Sequence, residues 1–441
     1  MGTLANLVRA GDLAGLQRWL VAAGTLEVAE ELVRLPPADR GVPFRLLSKD
    51  RALAVFEALD PVHQHEVLAA LREGTARELF EQLDADDRAR LLDEMPATLA
   101  QRLLTGLSPH ERQLTATVLG YPEQSAGRIM LPEYAALRPA MTIAQAIAGI
   151  RTVAPPAETL AALPVTDDER RLVGVVALAS LVLAPEDGRV ADVMSPEVHR
   201  VRVDTDQEIA ARLMQEADLL VLPVLDLEDR LVGVITVDDA MEVLEAEATE
   251  DQLRTGGAEP LRRPYLSVSV LGLARSRAIW LLALIVAAIL TVNVLQFFEE
   301  ALETVVTLAL FIPLLIDTGG NAGAQSATTV VRAMAVGELR FGDLARVIAR
   351  ETGTGFLLGL MLGTLASVPV AVFFGPHLAA VVSLSLLTVC TLASVAGALL
   401  PMVATRVGVD PAVVSAPLVT TLVDATGLVV YFVLARAILI V

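Results

Sequence analysis

An aspartate preceded by hydroxyls inside an apolar stretch is the first feature of this sequence with chemistry in it. In Pro417-Leu418-Val419-Thr420-Thr421-Leu422-Val423-Asp424-Ala425-Thr426-Gly427, Thr420 and Thr421 stand four and three residues before Asp424. On a helix the three share one face. That face offers oxygen and nothing soft, the donor set a hard cation prefers. A structural hydrogen bond to a neighbouring helix is the alternative, but the surrounding apolar runs contain no basic residue to neutralise the carboxylate. A second polar stripe lies in Pro313-Leu314-Leu315-Ile316-Asp317-Thr318-Gly319-Gly320-Asn321-Ala322-Gly323-Ala324-Gln325-Ser326. Its glycines allow close helix packing, while Asn321, Gln325 and Ser326 supply neutral oxygens better read as lining water.

These residues need a membrane around them. Residues 278–297, 353–374 and 378–405 are uncharged and long enough to cross a hydrocarbon core of about 30 Å. Two more segments, 304–331 and 411–435, span with one acid each, Asp317 and Asp424. The count is five helices. Arg262, Arg263, Arg275 and Arg277 precede the first; Arg332, Arg340, Arg346 and Arg350 lie in the second connection and Arg406 in the fourth. The first and third connections, Phe298-Glu299-Glu300 and Gly375-Pro376-His377, carry no basic residue. Basic connections stay inside, which puts the N-terminus in the cytoplasm and the C-terminus outside, with Arg436 dissenting near the outer end. Without a continuous apolar core in its first residues, the chain shows no signal peptide.

Composition divides the same way. The 441 residues are 54% hydrophobic; residues 1–271 hold 44 acids against 26 bases, a balance of −18, and residues 272–441 hold 9 against 8. An acidic soluble half argues against nucleic acid, whose phosphates demand Lys and Arg, and suits a cation as partner. The single Cys390 excludes a disulfide framework and reads as a buried packing residue.

Residues 1–128 read as repeated short helix–turn units with Pro and Asp starts, an all-α superhelix. His63 and His65, two apart, face away from each other and read as solvent-facing rather than as ligands. Between 129 and 245 the sequence repeats: Met130-Leu131-Pro132-Glu133 returns as Met194-Ser195-Pro196-Glu197, and Arg171-Leu172-Val173-Gly174-Val175-Val176 as Arg230-Leu231-Val232-Gly233-Val234-Ile235. Each copy reads strand, helix, strand, turn, strand, helix. The pair resembles tandem CBS modules (129–189 and 190–245), an α/β regulatory fold. The resemblance implies an adenosine nucleotide such as ATP, with Thr236 and Asp239 on its ribose. Ala177 and Ser180 depart from that pattern in the first copy. Residues 201–251 then hold 15 acids and three bases. Repelling charges at this density before a membrane bundle are poor electrostatics unless cations screen them, and Asp410 adds an acid on the same side. Bound divalent ions would tie these surfaces together, and their loss would let the acids spread.

In this order (helical domain, CBS pair, acidic connecting helix with its linker at 246–271, five-span bundle at 272–441) the chain resembles the MgtE-type magnesium channels. The resemblance rests on Val237–Asp251, Phe311–Ala333 and Gly408–Phe432 and covers essentially the whole chain. It implies a homodimer in the lipid bilayer of the cell membrane, importing Mg²⁺ through a pore on the two-fold axis. Asp424 is the cation-selecting residue by this resemblance, with Asn321 similarly placed and Gly320, Thr420 and Thr421 beside them. Cytosolic Mg²⁺ would close the pore through Asp86, Asp206, Glu208, Asp218, Asp239, Glu242, Glu247, Glu250, Asp251 and Asp410. Ala416 stands where some relatives have Asn, and Arg90 lies one turn after Asp86 where an acid can occur. Two rivals are weaker. Asp317-Thr318-Gly319 has the letters of an aspartyl protease, but Asp424 lacks the Gly-x-Gly-Asp context of the intramembrane type. A coupled carrier would show inverted repeats, and five spans do not halve. The expectation is therefore a channel and not an enzyme.

Overall fold

The structure, a computed structural model, describes residues 4–261, 265, 268–414 and 416–439. It divides into two units, Met1–Ala246 and Glu247–Val441. Arg262 and Arg263, used above for orientation, lie outside the described residues.

The first unit opens with ten short helices, α1 (Leu4–Ala10) to α10 (Pro109–Leu119), among them α8 (Ala85–Asp93). Pro37, Pro61 and Pro109 sit in first turns, where a missing N–H goes unnoticed. Asp60 caps the helix Pro61–Ala70 by accepting from the amides of Val62 and His63. Helices this short are marginal alone. They hold because they share a core, in which Leu16, Leu32, Val55, Phe56, Phe80 and Leu91 are almost fully buried and the Phe44 and Phe56 rings meet edge-on at 6.3 Å. His63 belongs to the buried set and not to the solvent: its ring Nδ1 bonds the capping Asp60, which draws it inward.

In the first CBS copy, α11 (Ile143–Val153) starts from a Thr142–Gln145 capping box. Antiparallel β1 (Ala162–Thr166) and β2 (Leu172–Ala177) follow, then α12 (Leu178–Leu183) and α13 (Val190–Val193). The second copy has β3 (Val201–Arg202) parallel to β4 (Val221–Leu225), α14 (Gln207–Glu216) between them, and β5 (Leu231–Thr236) antiparallel to β4. Only the second copy carries the whole expected succession; the opening strand of the first is reduced to one bridge, Leu137 with Val165. The repeated motifs meet crosswise. Leu131 and Val234 exchange backbone hydrogen bonds of 2.8 and 3.0 Å, as Ser195 and Val175 do at 2.8 and 3.0 Å. A Cβ on Gly233 would lie 2.5 Å from Met130 Sδ, and one on Gly174 2.9 Å from Met194 Sδ. Each methionine thus sits on the other copy's glycine.

From β5 the chain runs directly into α15 (Val237–Thr255), so the acidic connecting helix continues the last CBS helix. In the second unit follow α16 (Val270–Phe297), the short α17 (Glu299–Thr304), α18 (Ile312–Ala335), α19 (Leu344–Phe374), α20 (Pro376–Arg406) and α21 (Ala416–Leu439). Five of these segments are long and apolar enough to cross a membrane, as the sequence indicates. α18 is entered through a 3₁₀ turn, Val306–Phe311, with Pro313 in its first turn. α19 and α20 pack backbone to backbone: a Cβ at Gly355, Gly359 or Gly363 would come within 2.6–2.8 Å of main-chain atoms of α20. α20 crosses α18 as closely, with Gly397 against the Gly323 carbonyl. Cys390 is buried here, as expected. At one end of the bundle the Arg436 guanidinium lies 3.8 Å from Glu300 and 5.8 Å from the Phe298 ring, which gives the dissenting arginine local partners.

Candidate functional site

In the membrane half, α18 and α21 approach along a glycine edge. A Cβ on Gly320 would stand 3.2 Å from Thr420 Cγ2 and 3.4 Å from Asp424 Oδ1. Gly320 is therefore the packing residue that brings the two polar stripes together. Asp424 Oδ1 is buried without a hydrogen-bond partner, and among the described residues no Lys or Arg pairs with Asp424 or Asp317. A carboxylate at membrane depth costs about 2.5–3.5 kcal/mol on an insertion scale, and nothing described offsets that cost for Asp424 Oδ1. The Thr420 and Thr421 hydroxyls both donate to the Pro417 carbonyl, at 2.8 and 2.9 Å. Their protons are spent on their own helix, so what they can offer is lone pairs. Asn321 Nδ2 donates to Asp317 Oδ1 at 3.1 Å. Asp317 is thus a partner of the polar stripe that composition alone does not single out, although its i, i+4 spacing to Asn321 is visible in the sequence. Asp317, Asn321, Gln325 and Thr328 form an exposed polar stripe along α18.

In the first unit, α8 and α15 bring two candidate acids together. Asp86 is buried with its Oδ1 unpartnered. Burial first, then Asp239 and Asp87, push its carboxyl well above the usual range. Asp239 is pushed up to about 7, again mainly by burial, with Asp238 and Asp87 adding to it against the Thr236 hydrogen bond and Arg90. Asp84 rises to about 7 through burial, Asp87 and Glu158. These acids act on one another from α8 and α15 with the Arg90 guanidinium among them, and burial together with like charge disfavours their ionised forms. Glu242 is already engaged: Arg90 forks between it and Asp87. That is the physical form of the Arg90 departure.

The remaining candidates of this unit do local work. Asp206 caps α14, accepting from the Glu208 amide at 2.8 Å. Glu208 pairs with Arg212 one turn on. Asp218 holds a left-handed turn at φ +51° between α14 and β4. None of the three is among the main charges acting on Asp86 or Asp239. Thr236 Oγ1 donates to Asp239 Oδ2 at 2.6 Å, so the pair read as ribose-binding is bonded to itself, and its aspartate is also among the acids acting on Asp86.

In the second unit, Glu247, Glu250 and Asp251 follow one another along α15. Glu250 and Asp410 converge on one guanidinium, that of Arg254. An inventory of acids overlooks this arginine; its i, i+4 relation to Glu250 is visible in the sequence, its pairing with Asp410 is not.

The chain is similar to known proteins along its length. Residues 312–434 match the MgtE divalent cation transporter model, 24–124 the MgtE intracellular N domain, and 126–187 and 190–246 the CBS domain. The chain is 41% identical to the magnesium transporter MgtE of Thermus thermophilus over 99% of its own length and 98% of the relative's. To the Bacillus subtilis protein of the same name it is 29% identical, covering 98% and 95%. Among solved structures, the cytosolic domain of the Mg²⁺ channel MgtE in complex with ATP aligns with a TM-score of 0.51 at 39% identity, over 55% of this chain and 98% of that one. The shared sequence runs from the short helices through the CBS pair to the last apolar helix, and the chain belongs to the MgtE family of divalent cation transporters.

Proposed function

We propose that this protein is a Mg²⁺ channel, working as a homodimer, that imports the ion and is closed by Mg²⁺ bound to its cytoplasmic acids. The observation that carries the conduction half is Asp424: a buried, unpartnered carboxylate oxygen at a glycine-lined helix contact in a membrane bundle. Mg²⁺ sheds its water reluctantly, so Asp424 grips the hydrated ion through water. Asn321, oriented by Asp317, and the Thr420 and Thr421 lone pairs complete the polar wall. The stripe Asp317-Asn321-Gln325-Thr328 is exposed in a single protomer. At membrane depth such a stripe wants water or a second copy, which supports a pore at a two-fold axis; the arginines of the second and fourth connections support a C-terminus outside.

The regulatory half rests on Asp86, a buried acid that the neighbouring Asp239 and Asp87 push up, and on the acids of α15, which repel when a cation's charge is missing. An adenosine nucleotide at the CBS pair belongs to the same reading. It is supported by the relative crystallised with ATP and by the Thr236–Asp239 pair.

Mg²⁺ uptake into proteoliposomes tests the proposal, with low and high Mg²⁺ on the soluble-domain side. Asp424→Ala abolishes uptake, while wild-type uptake falls at high Mg²⁺. Uptake that survives Asp424→Ala ends the pore assignment, and wild-type uptake indifferent to Mg²⁺ on that side ends the feedback.

A further inference from the structure

Arg254 sits in the last turn of α15, with one arm on Glu250 of its own helix and the other on Asp410, in the connection between α20 and α21. Both oxygens of Asp410 are engaged: its Oδ1 accepts the Ala412 amide at 2.8 Å while Oδ2 takes Arg254. The three side chains are 24–34% exposed, so the pairing is partly shielded from solvent. A guanidinium keeps its charge at any physiological pH and binds two carboxylates through a planar fork. Here it stands between two acids that the cation-feedback reading assigns to Mg²⁺. The position matters because Asp410 begins the turn Pro411–Val413, and α21, with Thr420, Thr421 and Asp424, starts at Ala416. Just before it, Gly408 at φ +78° turns the chain after α20.

We propose that Arg254 is a resident cation of the gate: it latches α15 to the inner approach of the pore helix without metal, so part of the closure is independent of Mg²⁺. This rests on the feedback reading above and adds to it. Magnesium then acts on an already restrained helix, through the other acids of the feedback reading, and sets the range between partly and fully closed. Losing the arginine frees Glu250 and Asp410 to repel, which loosens the connection when no metal is present and leaves its closure to Mg²⁺ alone.

The test is Mg²⁺ uptake by full-length protein in proteoliposomes, with Mg²⁺ on the soluble-domain side varied from nil to saturating suppression. Arg254→Gln is expected to raise uptake at nil Mg²⁺ by about twofold to fivefold, the size of one partly shielded ion pair, with suppression at high Mg²⁺ retained as evidence of an intact fold. The charge swap Arg254→Asp with Asp410→Arg is expected to bring uptake at nil Mg²⁺ back toward wild type. Unchanged uptake at nil Mg²⁺ in Arg254→Gln overturns the proposal, and so does a rise that the swap fails to reverse. Should Arg254→Gln not reconstitute, Arg254→Met takes its place: the same rise supports the latch and none overturns it. Wild type that ignores Mg²⁺ is a different result, which removes the feedback reading itself.

Discussion

Single side chains show how this protein handles buried charge. Arg88 is almost fully enclosed, yet every arm is met: Nε donates to Thr115 at 2.8 Å, Nη1 to the Glu81 and Leu83 carbonyls at 3.0 and 2.6 Å, and Nη2 pairs with Glu111. Asp86, on the same helix, is buried with one oxygen unmet. The contrast separates a buried charge whose every arm is met from a buried acid with one oxygen unmet. Arg88→Met leaves Glu111 and two carbonyls without a donor and is expected to destabilise the protein by about 3–5 kcal/mol, read from chemical denaturation. A loss below about 1 kcal/mol would mean that the network is not holding α8 to α10.

At the scale of elements, the membrane half is assembled by absent side chains. Gly355, Gly359 and Gly363 recur every four residues and present bare backbone to α20, so dispersion between main chains replaces the hydrophobic drive that lipid removes. Gly353 is two residues away on the same helix and meets nothing within 4 Å. Gly359→Leu is therefore expected to lower the melting temperature in detergent markedly and Gly353→Leu to leave it nearly unchanged. Equal shifts would show that helix propensity, and not the close crossing, sets the effect. The soluble half uses the opposite device. Two copies of one motif interlock, each methionine seated on the other's glycine, so neither copy completes its packing by itself.

The whole molecule raises the question of what covers the polar stripe of α18. No residue of α16 is buried, and α18 leaves Asp317, Asn321, Gln325 and Thr328 exposed. Lipid suits the former face and not the latter. With a second copy across a two-fold axis, α18 of one protomer faces its partner's. In a Cys390→Ala background, Gln325→Cys is expected to form an oxidant-induced disulfide between two full-length chains, seen on a non-reducing gel. A protein that never cross-links there and runs as a monomer in mild detergent would argue that the stripe lines a one-chain pathway.

Much of this was legible in the residues. Hydropathy is local and additive, so five spans, an acidic soluble half and the carboxylates within the spans follow from composition along the chain, and repeated letters announce the CBS pair. What letters do not carry is which of many acids meets which cation. Asp86 meets Asp239, Glu242 meets Arg90 and Asp410 meets Arg254 only because folding brings distant helices together; Asp206, Glu208 and Asp218 look equally suitable in sequence and are spent on a cap, a helix pair and a turn. Electrostatic partnership depends on separation and shielding, quantities that exist only in three dimensions, so the sequence determined that the protein would gather negative charge and the tertiary structure decided where that charge would remain unanswered.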